Sequence, residues 1–333
     1  MRFSIIIPVY NIENYIGKLL DTILEQSFLD YEVIIVNDGS TDNSEKIINQ
    51  KICNNSKFKM IIQNNLGPGA ARNTGIKAAK GEYLLFWDGD DFITQKDALK
   101  RLDIIISKSK FDILVYPIQH STYLGNNIID SKVAYENLMR GLNDYSQVMN
   151  RMLIHGFMLS SPCEMLISRQ WLIENKLFFP EGVFSEDVEW IIRIMEHAPK
   201  LLFSDFQFYC YRWNRPGSTC NSIPETGKIL DIISFINYHY NRLVRVDNEI
   251  ASLTLHYLAY QWCVSASKVA EIDNYQERNK CLKRLCESKN ILMYRKIKKV
   301  KVFSIVSRTV GLSNAALLWR FIYKMKRRFL LND

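Results

Sequence analysis

The segment Leu84-Leu85-Phe86-Trp87-Asp88-Gly89-Asp90-Asp91 passes from four large apolar side chains to three carboxylates within four residues. Two carboxylates at i and i+2 can face one divalent cation whose other ligands are water and phosphate oxygens, the usual magnesium arrangement. Their mutual repulsion is relieved when a cation binds. A calcium EF-hand loop starting at Asp88 is excluded, because its fifth, sixth and twelfth positions would be Phe92, Ile93 and Leu99. A plainer use also fits: acidic turn residues that cap the next helix near Thr94. Further along, Ser185-Glu186-Asp187 sets two acids in the first turn of an expected helix, where acids complement the helix dipole. Arg215-Pro216-Gly217 has the composition of a turn.

The surrounding elements decide whether these groups can meet. Phe3 to Val9 reads as a buried strand, and Ile16, Leu19, Leu20 and Ile23 have the spacing of a helix with one buried face. Tyr31 to Val36 is a second strand, ending in the turn Asn37-Asp38-Gly39-Ser40. Asp42 with Glu45 three residues on has the form of a capping box opening a second helix. Phe58 to Ile62 is a third strand, followed by a tight loop, Asn65 to Gly69, and an alanine-rich helix from Ala70 to Lys80 that Gly81 would stop. Tyr83 to Trp87 is a fourth strand, with Ile104 to Ile106 in the helix after it. Strands apolar on both faces, separated by amphipathic helices, predict an α/β domain with a mostly parallel sheet. Asp38 and Asp88 then both lie just past the carboxyl ends of strands, the edge where open α/β sheets bind ligands. From about Phe157 the alternation is expected to fail, and beyond about residue 225 the pattern is helical.

Composition narrows the class. The chain has 333 residues, 47% of them hydrophobic, enough for one large domain or two ordinary ones. Its seven cysteines are scattered without CxxC or zinc-like spacing, and read as reduced thiols of a cytosolic protein. The N-terminal apolar run is too short for a signal peptide, and the uncharged stretch Ala251 to Ser267 fits a buried or interfacial helix better than a membrane span. The five histidines, at 120, 155, 197, 239 and 256, form no HExxH and no close pair, and no Walker loop, GxSxG or GxGxxG occurs. The formal charge of +8 is uneven: residues 291–333 hold eleven Lys and Arg against one Asp, while the rest of the chain carries 32 basic and 34 acidic groups.

Four motifs occur together. Pro8-Val9-Tyr10-Asn11, Val36 to Asp42, Gly67 to Gly75 and Asp88-Gly89-Asp90-Asp91 stand in the order and spacing of the family 2 glycosyltransferases, which this chain resembles over residues 3 to 92. Ser185-Glu186-Asp187 resembles that family's Glu-Asp pair, and Tyr209 to Ser218 its later segment at the donor diphosphate, so the likeness extends over roughly two thirds of the chain. The resemblance implies a GT-A fold and inverting transfer from a nucleotide sugar. It implies that Pro8, Tyr10, Asp38, Asn65 and Arg72 line the nucleotide pocket, with a carboxylate suited to the uracil N–H. Asp88 would contact ribose or metal-bound water, Asp90 would ligate Mn2+ or Mg2+, and Arg212, Arg215 and Ser218 would meet the diphosphate. Asp187, favoured over Glu186, would be the general base. The expected division is a nucleotide-sugar-binding and catalytic domain over 1–224 and a helical C-terminal region over 225–333.

The tail adds a separate expectation. Lys296, Lys298, Lys299 and Lys301 precede the apolar Val302 to Val306, and Leu317, Leu318, Phe321, Ile322 and Met325 are interleaved with Arg320, Lys324 and Lys326-Arg327-Arg328. A basic amphipathic helix of this kind suits an anionic membrane surface. No DNA- or RNA-binding motif accompanies the charge, so nucleic acid is not an expected partner. The combined reading is a metal-dependent glycosyltransferase, peripheral on the inner face of the cell membrane, acting on a glycan or polyprenyl-linked acceptor of a capsule or lipopolysaccharide pathway. A non-catalytic nucleotide-sugar-binding module and a nucleotidyltransferase are the alternatives.

Overall fold

A computed structural model describes residues 1–213, 215–216 and 225–329, with side chains through Phe321. The chain forms two compact units: one of residues 1–141 and 159–220, the other of 142–158 and 221–333. The segment 142–158, read with the first domain from sequence, joins the second unit.

The first unit is built on strands β1 (Phe3–Val9), β2 (Tyr31–Asn37), β3 (Phe58–Ile62), β4 (Tyr83–Phe86), β6 (Ile113–Val115), β8 (Met165–Ser168) and β9 (Leu201–Phe203), in the order β3-β2-β1-β4-β8-β6-β9. The four N-terminal strands are parallel, with Ile5 opposite Val33 and Leu85, and Val33 opposite Phe58. Their buried Ile, Val, Leu and Phe residues need cover, which comes from the one-sided helices between them. In α1 (Ile16–Leu24), for example, Ile16, Leu19, Leu20 and Ile23 are all fully buried. The other helices of this unit are α2 (Ser44–Ile52), α3 (Pro68–Ala78), α4 (Ala98–Ile106), α5 (Tyr135–Met139), α7 (Arg169–Glu174) and α8 (Glu186–Glu196). Because β1 lies between β2 and β4, the strand order reverses there, which opens a crevice at the carboxyl ends of β1 and β4.

Three local expectations are corrected. The alternation does not stop at about residue 157: β8, α7, α8 and β9 follow, with β8 antiparallel between β4 and β6 and β9 at the far edge. The capping box does not form, since Asp42 accepts from the backbone N–H of Ser44 and Glu13 while Glu45 accepts from the Asn37 amide. Gly81 does not stop α3, which ends at Ala78 with Ala79 extended. Gly81 instead lets the chain pass β1, because a Cβ there would sit 2.5 Å from the Ser4 backbone nitrogen.

A second, three-stranded sheet, β5 (Phe92–Ile93), β10 (Tyr209–Arg212) and β7 (Gln119–Ser121), stands in the order β5-β10-β7. It brings Tyr209 and Arg212 beside the turn that follows β4. An aromatic group fixes α8 to the same place. Phe179 stacks on Trp190 at 4.2 Å, and both meet Phe86 edge-on at the end of β4. Such pairs contribute about 0.5–1.5 kcal/mol each beyond burial. The Trp190 indole N–H donates to the Leu177 carbonyl at 2.7 Å, so the buried ring also satisfies its donor.

The second unit is helical: α6 (Tyr145–His155), α9 (Thr226–Leu243), α10 (Glu249–Val269), α11 (Tyr275–Cys286), α12 (Lys298–Val310) and α13 (Leu312–Phe329). Helix α10 is its axis, buried on most sides and started by Asn248, whose side chain accepts from Ala251 N–H. Trp262 on α10 donates its indole N–H to the Leu285 carbonyl at the end of α11. No described helix is long and apolar enough to cross a membrane.

The tight passage of the 81 position makes a measurable demand. Gly81→Ala forces a methyl against the β1 backbone and is expected to cost about 1–3 kcal/mol, the range for overpacked sites. Gly227→Ala, in the first turn of α9 with nothing within 4 Å of its added Cβ, is expected to leave the thermal midpoint unchanged or raise it. Equal destabilisation by both substitutions would refute the close-approach reading.

Candidate functional site

The turn after β4 places its three acids in three different environments. Asp91 is fully buried: its carboxylate accepts from the Tyr209 hydroxyl at 2.5 Å and from the Arg212 backbone N–H at 2.9 Å. The same Tyr209 oxygen accepts from the Asp88 backbone N–H at 3.0 Å. Burial, then repulsion from Asp90 and Asp88, pushes the Asp91 carboxyl well above its ordinary range. Asp91 therefore fixes the turn to β10 rather than facing a ligand. Asp90 is half-buried and ion-paired with the Arg215 guanidinium. Burial and the nearby Asp88 raise its pKa, and Arg215 opposes that rise. Asp88 points to the other side, toward Arg72.

Arg72 is the hub. It lies on α3, is almost fully buried, and divides its guanidinium between Asp88 at 2.9 Å and Glu186 at 2.6 Å, with the Phe179 ring 5.4 Å away. Burial disfavours its charge, but the two carboxylates outweigh that and raise its pKa. The neighbouring Asn73 ties down the loop before α8: its amide donates to the Phe179 carbonyl and Glu181, and its oxygen accepts from Phe179 N–H. Ser185, just ahead of Glu186, has φ of 59°, an unusual left-handed conformation for a non-glycine residue. The turn leaves Glu186 buried against Arg72 and the next residue, Asp187, half-buried. Asp187 accepts from the Val188 backbone N–H at 2.8 Å. Glu186 is committed to the Arg72 guanidinium, which suits it to the structural half of the pair.

Across β1, Asp38 closes the end of β2. It is buried and accepts from the Gln63 amide at 2.8 Å, Leu66 N–H at 2.9 Å and Gly67 N–H at 2.8 Å. Those bonds draw the 63–67 loop over the ends of β1 and β2. Asn65 on this loop is exposed, and its backbone nitrogen lies 3.0 Å from where a Cβ on Gly39 would stand. Gly39, at φ of 72°, has both the space and the conformation only glycine takes easily. Pro8, opposite Val36 in register, and the exposed Tyr10 complete this rim.

The two arginines of the later segment part company. Arg212 is buried, 4.8 Å from the Phe92 ring centroid, and donates to the Tyr123 carbonyl. Its guanidinium fills the space left by Gly125, and burial lowers its pKa. Arg215 reaches Asp90 and lies 5.5 Å from the Tyr15 ring. Ser218 lies outside the described residues. The structure thus brings together Arg72, Asp88, Asp90, Glu186 and Arg215, places Asp187 next to that group, and sets Pro8, Tyr10, Asp38 and Asn65 at the neighbouring strand ends. Asp91, Tyr209 and Asn73 were not assigned from sequence. The one signal for Asp91 was its position as a third acid that two metal-facing carboxylates leave over.

No described group of three His, Cys, Asp or Glu side chains could hold a metal by itself. Asp90 nevertheless offers one carboxylate to a divalent ion of the kind that draws most of its ligands from phosphate and water, while Asp88 is turned to Arg72. Burial first, and the Asp88 charge second, raise the Asp90 pKa, and a bound cation would oppose both.

Just before β8, Glu164 is buried beside Cys163 and accepts from the Ser160 hydroxyl. Burial raises its carboxyl from 4.5 to about 7. The folded state therefore binds this proton more tightly than the unfolded chain, so its effect on stability is most favourable below 4.5 and is lost as pH rises through about 7. Glu164→Gln is expected to raise stability at pH 8 by on the order of 1–3 kcal/mol. It should also remove the part of the wild-type gain that appears between pH 8 and 5. Parallel pH profiles of melting temperature for the two proteins would overturn this.

Comparison with known proteins places this site in a family. The model of "Glycosyl transferase family 2" matches residues 4–175. Glycosyltransferase GlyA of Streptococcus pneumoniae is 30% identical over 214 residues, covering 63% of this chain and 30% of the relative. The poly(ribitol-phosphate) beta-glucosyltransferase of Bacillus spizizenii is 32% identical over 249 residues, covering 71% of this chain and 37% of the relative. The chain thus spans about a third of the length of these curated relatives. The structure of S. aureus TarS 1–349 in complex with UDP-GlcNAc superposes with a TM-score of 0.71 at 22% identity, over 98% of this chain and 92% of that one. The shared architecture is the GT-A fold, a mostly parallel sheet followed by a helical C-terminal region. With the family model covering just over half of its length, including every acid of the β4 turn, the chain belongs to glycosyl transferase family 2.

Proposed function

We propose that this protein is a metal-dependent inverting glycosyltransferase that moves a hexosyl or N-acetylhexosaminyl group from a UDP-sugar to a hydroxyl of a glycan or lipid-linked acceptor. Its place would be surface-polysaccharide assembly at the cytoplasmic face of the membrane. The observation that carries the reading is the single cluster of Asp88, Asp90, Arg72, Glu186 and Arg215 at the strand-order reversal, with Asp187 beside it. The names of the relatives, all sugar transferases, and the UDP-GlcNAc held by the TarS structure support the donor class.

Each residue then has a task. Asp38 and the loop it holds, with Pro8, Tyr10 and Asn65, would form the uridine site. Asp90, with Asp88 behind it, would hold Mn2+ or Mg2+. That ion would neutralise the diphosphate as it departs. Arg215 would add fixed positive charge at the same phosphate oxygens. Asp187 would take the proton of the acceptor hydroxyl as its oxygen bonds to the anomeric carbon and the bond from that carbon to the diphosphate oxygen breaks. The diphosphate leaves as an anion and needs no acid. One displacement from the opposite face inverts the anomeric centre.

Asp187→Asn is expected to lower transfer by about 10²–10⁴-fold, the usual range for a lost general base, with UDP binding retained. Unchanged turnover would remove Asp187 from the mechanism. In thermal-shift measurements, UDP-sugars with Mn2+ are expected to stabilise the protein more than GDP- or dTDP-sugars, because only ligands that prefer the folded state raise the midpoint. Asp90→Ala should abolish the metal-dependent part of that shift. Release of nucleoside monophosphate in place of diphosphate would instead favour a nucleotidyltransferase.

A further inference from the structure

Helix α12 has two apolar faces where a surface helix needs one. Val300, Phe303, Ser304 and Ser307 are buried on the inner face. At 3.6 residues per turn, Val302 and Ile305 fall on the opposite face, and they are 45% and 50% exposed. Helix α13 repeats the pattern: Ala315 and Ala316 are buried, while Leu317, Leu318 and Phe321 project at 48%, 46% and 61% exposure. Both helices pack on α10 and on each other, so the sides turned away from α10 open on one side of the unit. Lys298, Lys301 and Arg308 are exposed around the α12 stripe and have no acidic partner among the described residues. Residues 291–333 as a whole carry a net charge of +10.

We infer that the outward faces of α12 and α13 form a docking surface for an anionic lipid bilayer, with the apolar side chains entering the headgroup boundary and the cations resting on the phosphates. Charge decides the occupant. Two copies of this face would set like charges against each other, whereas an anionic leaflet attracts each basic side chain by about 1 kcal/mol. Insertion of isolated Val, Ile, Leu and Phe residues between cations is the pattern of a helix lying in the interface. The absence of a spanning helix among the described residues is consistent with surface attachment. This surface is separate from the proposed transfer chemistry, so either can fail without the other.

The test is co-sedimentation of the full chain with vesicles of phosphatidylcholine alone or mixed with phosphatidylglycerol. Binding is expected to the mixed vesicles only and to fall as salt rises. The triple variant Lys298→Gln, Lys301→Gln, Arg308→Gln should weaken it roughly a hundredfold, three charges at about 1 kcal/mol each. Ile305→Glu with Leu317→Glu should also lose binding while leaving the melting temperature near wild type, since both sites are exposed. Equal binding to neutral vesicles, no vesicle binding, retention on duplex DNA in its place, or self-association abolished by Ile305→Glu would each overturn the inference.

Discussion

The buried guanidinium of Arg72 is the interaction on which the site depends. One cation, reached from α3, joins a carboxylate at the end of β4 to a carboxylate at the start of α8. Removing charges from water is costly, and the arrangement persists because each charged group has close partners. Losing Arg72 would leave Glu186 buried without its cation and Asp88 without its partner, so three separate stretches of chain are held in register by one side chain. The Phe86, Phe179 and Trp190 rings next to it exclude water, which strengthens the pairing.

Around that hub the acids divide their work by environment. Asp91 is spent on structure, holding β10 through Tyr209 and the Arg212 backbone. Asp38 is similarly spent on shaping the loop above β2. Asp90 is paired with Arg215, and Asp187 is half-buried at the start of α8. A run of acids that looks uniform in sequence is thus three different residues once burial is known.

Much of this was legible in the chain before any coordinates. The four parallel strands read clearly because each is a long apolar run between helices with sharp one-sided spacing. The segments β8 and β9 were missed because four and three residues carry no period, and their identity as strands comes from pairing with β4 and β6. Glycine at 81 looked like a helix stop, yet its reason is the nearness of Ser4, a contact between residues far apart in sequence. Arg212 and Arg215 could not be told apart from spacing alone; the Arg212 guanidinium packs against Phe92 and Gly125, whereas Arg215 pairs with Asp90. Helix α6 was invisible as part of the second unit, since local patterning says nothing about which core a helix joins.

The reversed direction of β8 has an outcome for what lies behind the acid turn. Because that strand runs against β4, the chain arrives at it from the same rim that carries Asp88, and Cys163 and Glu164 are delivered behind the acids rather than at the far end of the sheet. The turn leading into β8, 162–164, thereby packs beside β4 and belongs to no parallel repeat. Leu159, Pro162, Cys163 and Glu164 are all buried, so a change of volume or charge in this connection is felt at the acid turn and is not absorbed at the surface.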